Sequence, residues 1–171
     1  MTIQQRMKKY AELDANTKLI PLSQGKFAIV DADDFEKLSQ LKWHYSNGYA
    51  VKHGKPKIIM HRIVCNTPDG MHTDHINGNR LDNRKCNLRV CTKNENAKNT
   101  SKRKNSTSKY KGVSWETRTK RWFCQIEVNK KSFFLGRFSS EEAAAEAYNE
   151  AALIHHGEFA RLNQTLGKAG V

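Results

Sequence analysis

The chain has 171 residues and carries 30 Lys and Arg against 17 Asp and Glu, a formal net charge of +13, with 37% hydrophobic residues. This length fits one domain or two small ones, and the charge excess attracts polyanions and makes their binding salt-sensitive. No run approaches the roughly 18 apolar residues that span a bilayer, and residues 1–10 are charged without an apolar stretch, so neither a membrane span nor a secretory signal is expected.

Residues 18–31 read as a hairpin, Leu19-Ile20-Pro21-Leu22 and Phe27-Ala28-Ile29-Val30 flanking Gln24-Gly25. Residues 33–41 have helical spacing, with Phe35, Leu38 and Leu41 on one side and Asp33 or Asp34 as a cap. Tyr49-Ala50-Val51 and Ile58-Ile59-Met60, either side of Gly54-Lys55-Pro56, predict a second hairpin. A short strand over 71–73 ends at Asp74-His75 and turns at Asn77-Gly78. A further strand, Leu88-Arg89-Val90-Cys91, runs into a helix opened by Thr92, with Glu95 completing a capping-box pattern and Asn96 in the first turns.

Residues 97–109 are polar and basic without apolar period, and read as the helix tail entering a linker, since Asn, Ser and Thr are poor helix formers. From Tyr110 three strands are expected, over 110–115, 122–128 and 132–138, the middle one alternating with a period of two and turning at Asn129-Lys130. A helix capped by Ser139 or Ser140 then runs to His155 or His156 and stops at Gly157. Its expected inner face is Ala143, Ala144, Ala147, Tyr148, Ala151 and Ile154. The cysteines, Cys65, Cys86, Cys91 and Cys124, form no CxxC pair and are expected to be reduced and mostly buried, neither a disulfide framework nor a zinc site.

Residues 97–137 hold twelve Lys or Arg against Glu116 and Glu127, whereas residues 138–160 have no Lys or Arg and carry Glu141, Glu142, Glu146, Glu150 and Glu158. An acidic stripe repels phosphates, so nucleic acid is expected to meet the sheet and linker through Trp115, Arg118, Lys120, Arg121 and Gln125, and the helix is packing. The other chemical signal is Asp74-His75. Phosphodiester hydrolysis needs an activated water and charge on the phosphorane. A neutral His takes a proton near neutral pH, and the oxygens of Asp74 and Asn96 suit a Mg²⁺-like ion.

Asp74-His75-Ile76-Asn77-Gly78-Asn79, Leu81-Asp82-Asn83-Arg84, Asn87-Leu88-Arg89 and residues 94–99 resemble the HNH endonuclease family, in particular phage-type homing enzymes whose third signature residue is Asn. The resemblance implies a ββα-metal fold with His75 as general base and Asp74 and Asn96 on one divalent cation, Mg²⁺ or Mn²⁺. It also makes Asn87 the residue that fixes the loop, with Asn83 in support; Met60-His61-Arg62 resembles segments preceding this motif, and His61 is as readily a buried structural His as a site residue. Tyr110-Lys111-Gly112-Val113, Trp115, Trp122, Leu135-Gly136-Arg137-Phe138, Ala147-Tyr148 and Ala160-Arg161-Leu162-Asn163 resemble the AP2 DNA-binding domain, whose three-stranded antiparallel sheet packs on one helix and enters the major groove. That resemblance adds Lys109, Lys111 and Ser114 to the DNA-contacting set. Where plant members carry Arg, this chain has Ser114, Gln125 and Glu127, so their target sequence does not transfer.

The expected architecture is α+β. An HNH nuclease domain spans 1–100, its ββα-metal core over about 70–100 behind a β-rich N-terminal extension. A basic linker covers 101–109 and an AP2-like domain 110–165. The expected activity is metal-dependent cutting of double-stranded DNA by a homing enzyme of a phage or mobile element, in the cytoplasm of a bacterial or phage-infected cell, with no obligate protein partner and no membrane. The alternatives are a non-cleaving DNA-binding regulator and an RNA binder.

Overall fold

The computed structural model describes residues 15–102 and 105–165. The chain divides into two compact units, Met1–Lys93 and Asn94–Val171. In the first, β1 (Thr17–Pro21) pairs antiparallel with β2 (Phe27–Asp31) around a tight turn at Ser23–Gly25. Helix α1 (Ala32–Ser39) follows at once. Its N-cap position is held by Asp31, whose carboxylate accepts the backbone N–H of Lys85 at 2.7 Å and makes no cap. Asp33 and Asp34 lie in the first turn, where their charge favours the positive end of the helix.

The second hairpin differs from the expected one. β3 (Trp43–Ser46) pairs with β4 (Tyr49–Lys52) across Asn47-Gly48, and Ile59 contributes only an isolated bridge to Val51. Both turn residues have positive φ, 50° and 91°, the conformation of a type I′ hairpin for which Asn-Gly is the strongest local signal. Met60 is fully buried and opens the short helix α2 (Met60–Val64) instead of closing a strand. Ile20, Leu22, Ala28, Val30, Leu38, Trp43, Ala50 and Met60 form one apolar core. β5 (His72–His75) and β6 (Leu88–Cys91) make a separate antiparallel pair, joined by the motif loop and followed by α3 (Lys93–Lys98).

In the second unit, β7 (Val113–Glu116), β8 (Arg121–Val128) and β9 (Lys131–Phe138) form a three-stranded antiparallel sheet with a bulge between Cys124 and Gln125. Asn129 and Lys130 turn β8 into β9 with φ of 50° and 64°. The sheet packs on α4 (Glu141–His156), whose Ser140 Oγ accepts the Ala143 N–H at 3.1 Å and whose end is Gly157 at φ 54°.

The buried face of α4 is Ala144, Ala145, Tyr148, Ala152 and His156. Ile154, expected inside, is 79% exposed, so the true apolar stripe is rotated from the expected one. With six alanines in the helix, side-chain size does not mark the stripe. Close packing on the sheet shows at Gly112 (φ 79°), where a Cβ would lie 2.1 Å from the Tyr148 ring. Asn163 ties the unit's ends together, accepting from Lys111 N–H at 2.7 Å and donating to Lys111 O at 3.0 Å. Residues 106–109 are also held. Ser108, 2% exposed, donates its hydroxyl to Glu141 at 2.6 Å, and the Lys109 N–H reaches the same oxygen at 3.0 Å.

All four cysteines are free; Cys91 and Cys124 are buried, Cys65 is half-buried and Cys86 is exposed. Among the described residues no helix is long and apolar enough to cross a membrane.

Candidate active site and nucleic-acid interface

The β5–β6 register sets Asp74 opposite Arg89 and His75 opposite Leu88. Arg89 donates from Nη2 (2.6 Å) and Nε (3.0 Å) to Asp74 Oδ2, within a pair whose side chains are only 13% and 7% exposed. His75 is the last residue of β5, so the chain turns away there and the two neighbours serve different surroundings.

The loop behind His75 is a polar structure built from the motif itself. Asn87 crosses it, accepting the Asn77 N–H at 2.9 Å and donating to Asp82 O at 2.8 Å. Asn77 donates to Asp82 Oδ2 at 3.0 Å, and Arg84 reaches both oxygens of that carboxylate at 2.8 and 2.7 Å. Burial alone raises the Asp82 carboxyl, but the Arg84 and Asn77 contacts outweigh it and the group sits below its ordinary range. The Asp82 segment is anchored to β2 by Ile29 N–H to Leu81 O (2.8 Å) and Asn83 N–H to Ile29 O (2.7 Å). Asn83, 1% exposed, donates to Leu81 O and turns its Oδ1 to His75 Nε2 at 3.4 Å.

His75 is buried, and that burial lowers its pKa against the opposing pull of Asn83, Asp74 and Asp82. Two rings that the sequence did not connect to the site lie beside it. His61 meets the His75 ring edge-on at 5.0 Å, and Tyr49 lies 5.4 Å from His61 and 6.2 Å from His75. Burial, then the His75 and Arg62 charges, push the His61 pKa down to about 3, so its ring is neutral, and its buried Nδ1 has no hydrogen-bond partner among the described residues. Over the outer side of this cluster, the Arg80 guanidinium stacks on Tyr49 at 4.8 Å. No local sequence signal links residues 49 and 61 to residue 75; only the tertiary fold does.

Asn96 is half-buried in α3, a helix that begins two residues after β6 and is cut by the division between the two units. Among the described residues no three His, Cys, Asp or Glu side chains converge to cage a metal. The Asp74 carboxylate and the Asn96 amide each carry a hard oxygen donor, the kind that suits a Mg²⁺-like ion, which keeps several waters and takes phosphate oxygens.

In the second unit, strand alternation separates the candidate contacts. Ser114, Phe123, Gln125 and Arg137 share the face turned away from α4, as does Phe134, opposite Gln125 and 55% exposed. Phe123 and Phe134 stack at 5.1 Å with the Arg137 guanidinium over both rings. Glu116 accepts from Arg137 at 2.7 and 3.0 Å and from Thr119, contacts that hold its carboxyl at about 2. Arg118 and Lys120 are exposed in the β7–β8 turn, and Arg121 is exposed at the start of β8.

Trp115 is placed differently. It faces Trp122, edge-on at 5.1 Å, on the same side as the buried Val113, at the end of the sheet. Lys109 spends its charge on Glu142 at 3.2 Å. Lys111 is half-buried with Nζ on Lys98 O at 2.7 Å, and burial beside Arg161 lowers its pKa to about 8.

A family model described as HNH endonuclease matches residues 38–98, and one described as AP2 domain matches residues 108–156. The chain is 30% identical over 153 residues to an uncharacterised HNH endonuclease of Acanthamoeba polyphaga mimivirus, covering 85% of this chain and 79% of that protein. It is 33% identical over 94 residues to protein 3.8 of Escherichia phage T7, covering 55% and 77% of the two chains. An AP2-like ethylene-responsive transcription factor of Arabidopsis thaliana is 38% identical over 64 residues, 37% of this chain and 13% of that one. No solved structure matches the chain.

Proposed function

Since this chain belongs to the HNH endonuclease family and carries an AP2 domain after the HNH segment, we propose that it is a metal-dependent enzyme that hydrolyses phosphodiester bonds in double-stranded DNA. We read it as a homing enzyme of a phage or mobile element, with the AP2 domain choosing where it acts. The observation that carries this reading is the buried Asp74-His75 pair at the end of β5, held by a motif loop whose polar groups are spent on one another.

In the proposed reaction, neutral His75 takes the proton of the attacking water. Its burial keeps it unprotonated at neutral pH, and Asn83 and the His61 ring fix its plane. Asn87 holds the loop so that this geometry exists before substrate arrives. Asp74, itself steadied by Arg89, and Asn96 would hold the divalent ion. A divalent ion held there would supply Lewis-acid charge to the phosphodiester. The outer face of the β7–β8–β9 sheet, with Ser114, Gln125, Phe134 and Arg137, meets the DNA, while Arg118, Lys120 and Arg121 supply phosphate contacts. Nicking of supercoiled plasmid by the full chain, with Mg²⁺ or Mn²⁺ and with EDTA, tests the reading. Metal-dependent conversion to open-circle or linear DNA is expected. A protein that binds the plasmid and never cuts it is instead a DNA-binding regulator.

A further inference from the structure

We propose that Arg80 is the phosphate-binding cation of the nuclease unit, gripping a non-bridging oxygen of the phosphodiester presented to His75. The inference rests on the nuclease reading above and adds the group that reading lacks. Hydrolysis piles negative charge onto the phosphorane, and a base such as His75 must be neutral to work, so it cannot balance that charge.

The other described arginines of this unit are already engaged. Arg84 is bidentate on Asp82, Arg89 is on Asp74, and Arg62 donates to the carbonyls of Met71, Thr67 and Pro68. Arg80 meets no carboxylate among the described residues. Its only hydrogen bond there is a long one, Nη1 to Asn47 O at 3.3 Å, and its side chain is exposed. A guanidinium in that state keeps most of its donor fork for an incoming phosphate.

Its placement is built. Asn79 N–H bonds Asn77 Oδ1 at 2.8 Å and Leu81 N–H bonds Asn79 Oδ1 at 3.1 Å, which pins the backbone on either side of residue 80. The side chain then lies along the Asn47-Gly48 turn, where a Cβ on Gly48 would come within 3.2 Å of Arg80 Cδ. It ends on Tyr49, the ring that also borders His61 and His75.

The test is single-turnover plasmid cutting in Mg²⁺ by the full chain, comparing wild type, Arg80→Ala, Arg80→Lys and His75→Ala, with DNA affinity and thermal unfolding measured in parallel. Arg80→Ala is expected to slow cutting by about 10²-fold or more, as for loss of one donor to a developing anion, with unfolding unchanged. Arg80→Lys should recover part of the rate. Millimolar guanidinium should rescue Arg80→Ala and not His75→Ala, which a packing role would not produce. Cutting by Arg80→Ala within about threefold of wild type, while His75→Ala is silent, overturns the inference and leaves the nuclease reading standing. A slow Arg80→Ala that unfolds earlier and ignores guanidinium also overturns it. A wild type that binds DNA without cutting under Mg²⁺ or Mn²⁺ overturns both.

Discussion

Around His75 the first unit buries Asp74, Asp82, Asn83 and Asn87 to 6% exposure or less, whereas the second unit buries Val113, Cys124 and Ile126 and leaves Gln125 and Phe134 in solvent. Under the proposed function, the contrast follows from what each surface would have to do. A base and a metal ligand must be fixed and partly desolvated before the substrate arrives, and buried polar groups persist only when their hydrogen bonds are made. The motif loop satisfies that condition internally, through Asn77, Asp82, Arg84 and Asn87. A surface that reads DNA has to be open. Its support can be apolar packing on the other side of the sheet, which here is the alanine-rich face of α4.

If that division is right, damage to the first unit's polar network should show in catalysis and damage to the second unit's packing in binding. The largest effect is expected at His75. His75→Ala should lower the cutting rate by about 10²–10⁴, with the dissociation constant for DNA nearly unchanged. A parallel loss of affinity would mean that His75 belongs to the binding surface and that the contrast is drawn in the wrong place.

Next comes Gly112→Ala. The added Cβ meets the Tyr148 ring at 2.1 Å and Gln125 O at 2.6 Å, at a φ of 79° that a side chain disfavours. Backbone strain and overpacking each contribute about 1–3 kcal/mol, enough to lower the unfolding midpoint visibly in calorimetry and to weaken DNA binding. Asn87→Ala is the counterpart in the first unit. It strands the Asn77 N–H and Asp82 O, at about 1–3 kcal/mol for each unsatisfied group that stays buried. Cutting should fall more than affinity, as followed by nicking and filter binding on the same preparation.

How much of this was legible in the sequence depends on how far apart the cooperating residues lie. The strand–loop–strand–helix order around Asp74 and His75, and the three strands and helix of the second unit, are written in local patterns: period two in β8, turn dipeptides, and a Ser cap three residues before Ala143. The β3–β4 hairpin is announced by Asn47-Gly48, but the apolar run at Ile58-Ile59-Met60 has the same composition as a partner strand, although Met60 is needed in the core. The buried face of α4 is not legible in the sequence because alanines on several sides give no contrast in size. Tyr49 and His61 come to His75 from separate segments, Arg80 of the motif loop ends on Tyr49, and Phe134 and Arg137 come to Gln125 from the next strand. Pairings of that kind are fixed by packing and register, which residue spacing does not carry.

His61 offers a pH test of the buried ring cluster. Its folded pKa of about 3 lies below the ordinary 6.5, so between those values the unfolded chain binds the extra proton. Stability from this group is therefore complete above about pH 6.5 and drains as the pH falls towards 3. His61→Phe keeps a ring against Tyr49 and His75 and removes the proton site. It should flatten the acid side of the stability profile in urea titrations between pH 7 and 4. If the variant loses stability with falling pH as steeply as wild type, the acid sensitivity lies elsewhere, with the Arg84-paired carboxylate of Asp82 as the next group to examine.

The smallest effects are expected at the exposed charges of the second unit, and they sharpen the contrast most finely. Arg118 is exposed in the β7–β8 turn, and Glu146 is exposed on α4. If Arg118 neutralises one phosphate, Arg118→Ala should weaken binding to all DNA sequences alike and reduce the slope of log affinity against log salt by about 0.9. Gln125→Ala, on the outer face of the sheet, should leave that slope alone and relax the sequence preference, since an amide that reads a base edge carries discrimination and no charge. Glu146→Ala removes an anion from the helix side and should change neither. A titration of each variant from 50 to 200 mM salt, on a selected and a scrambled duplex, separates the three. Equal slopes for wild type and Arg118→Ala, with a shifted slope for Glu146→Ala, would place the DNA against α4 and reverse the assignment of the two faces.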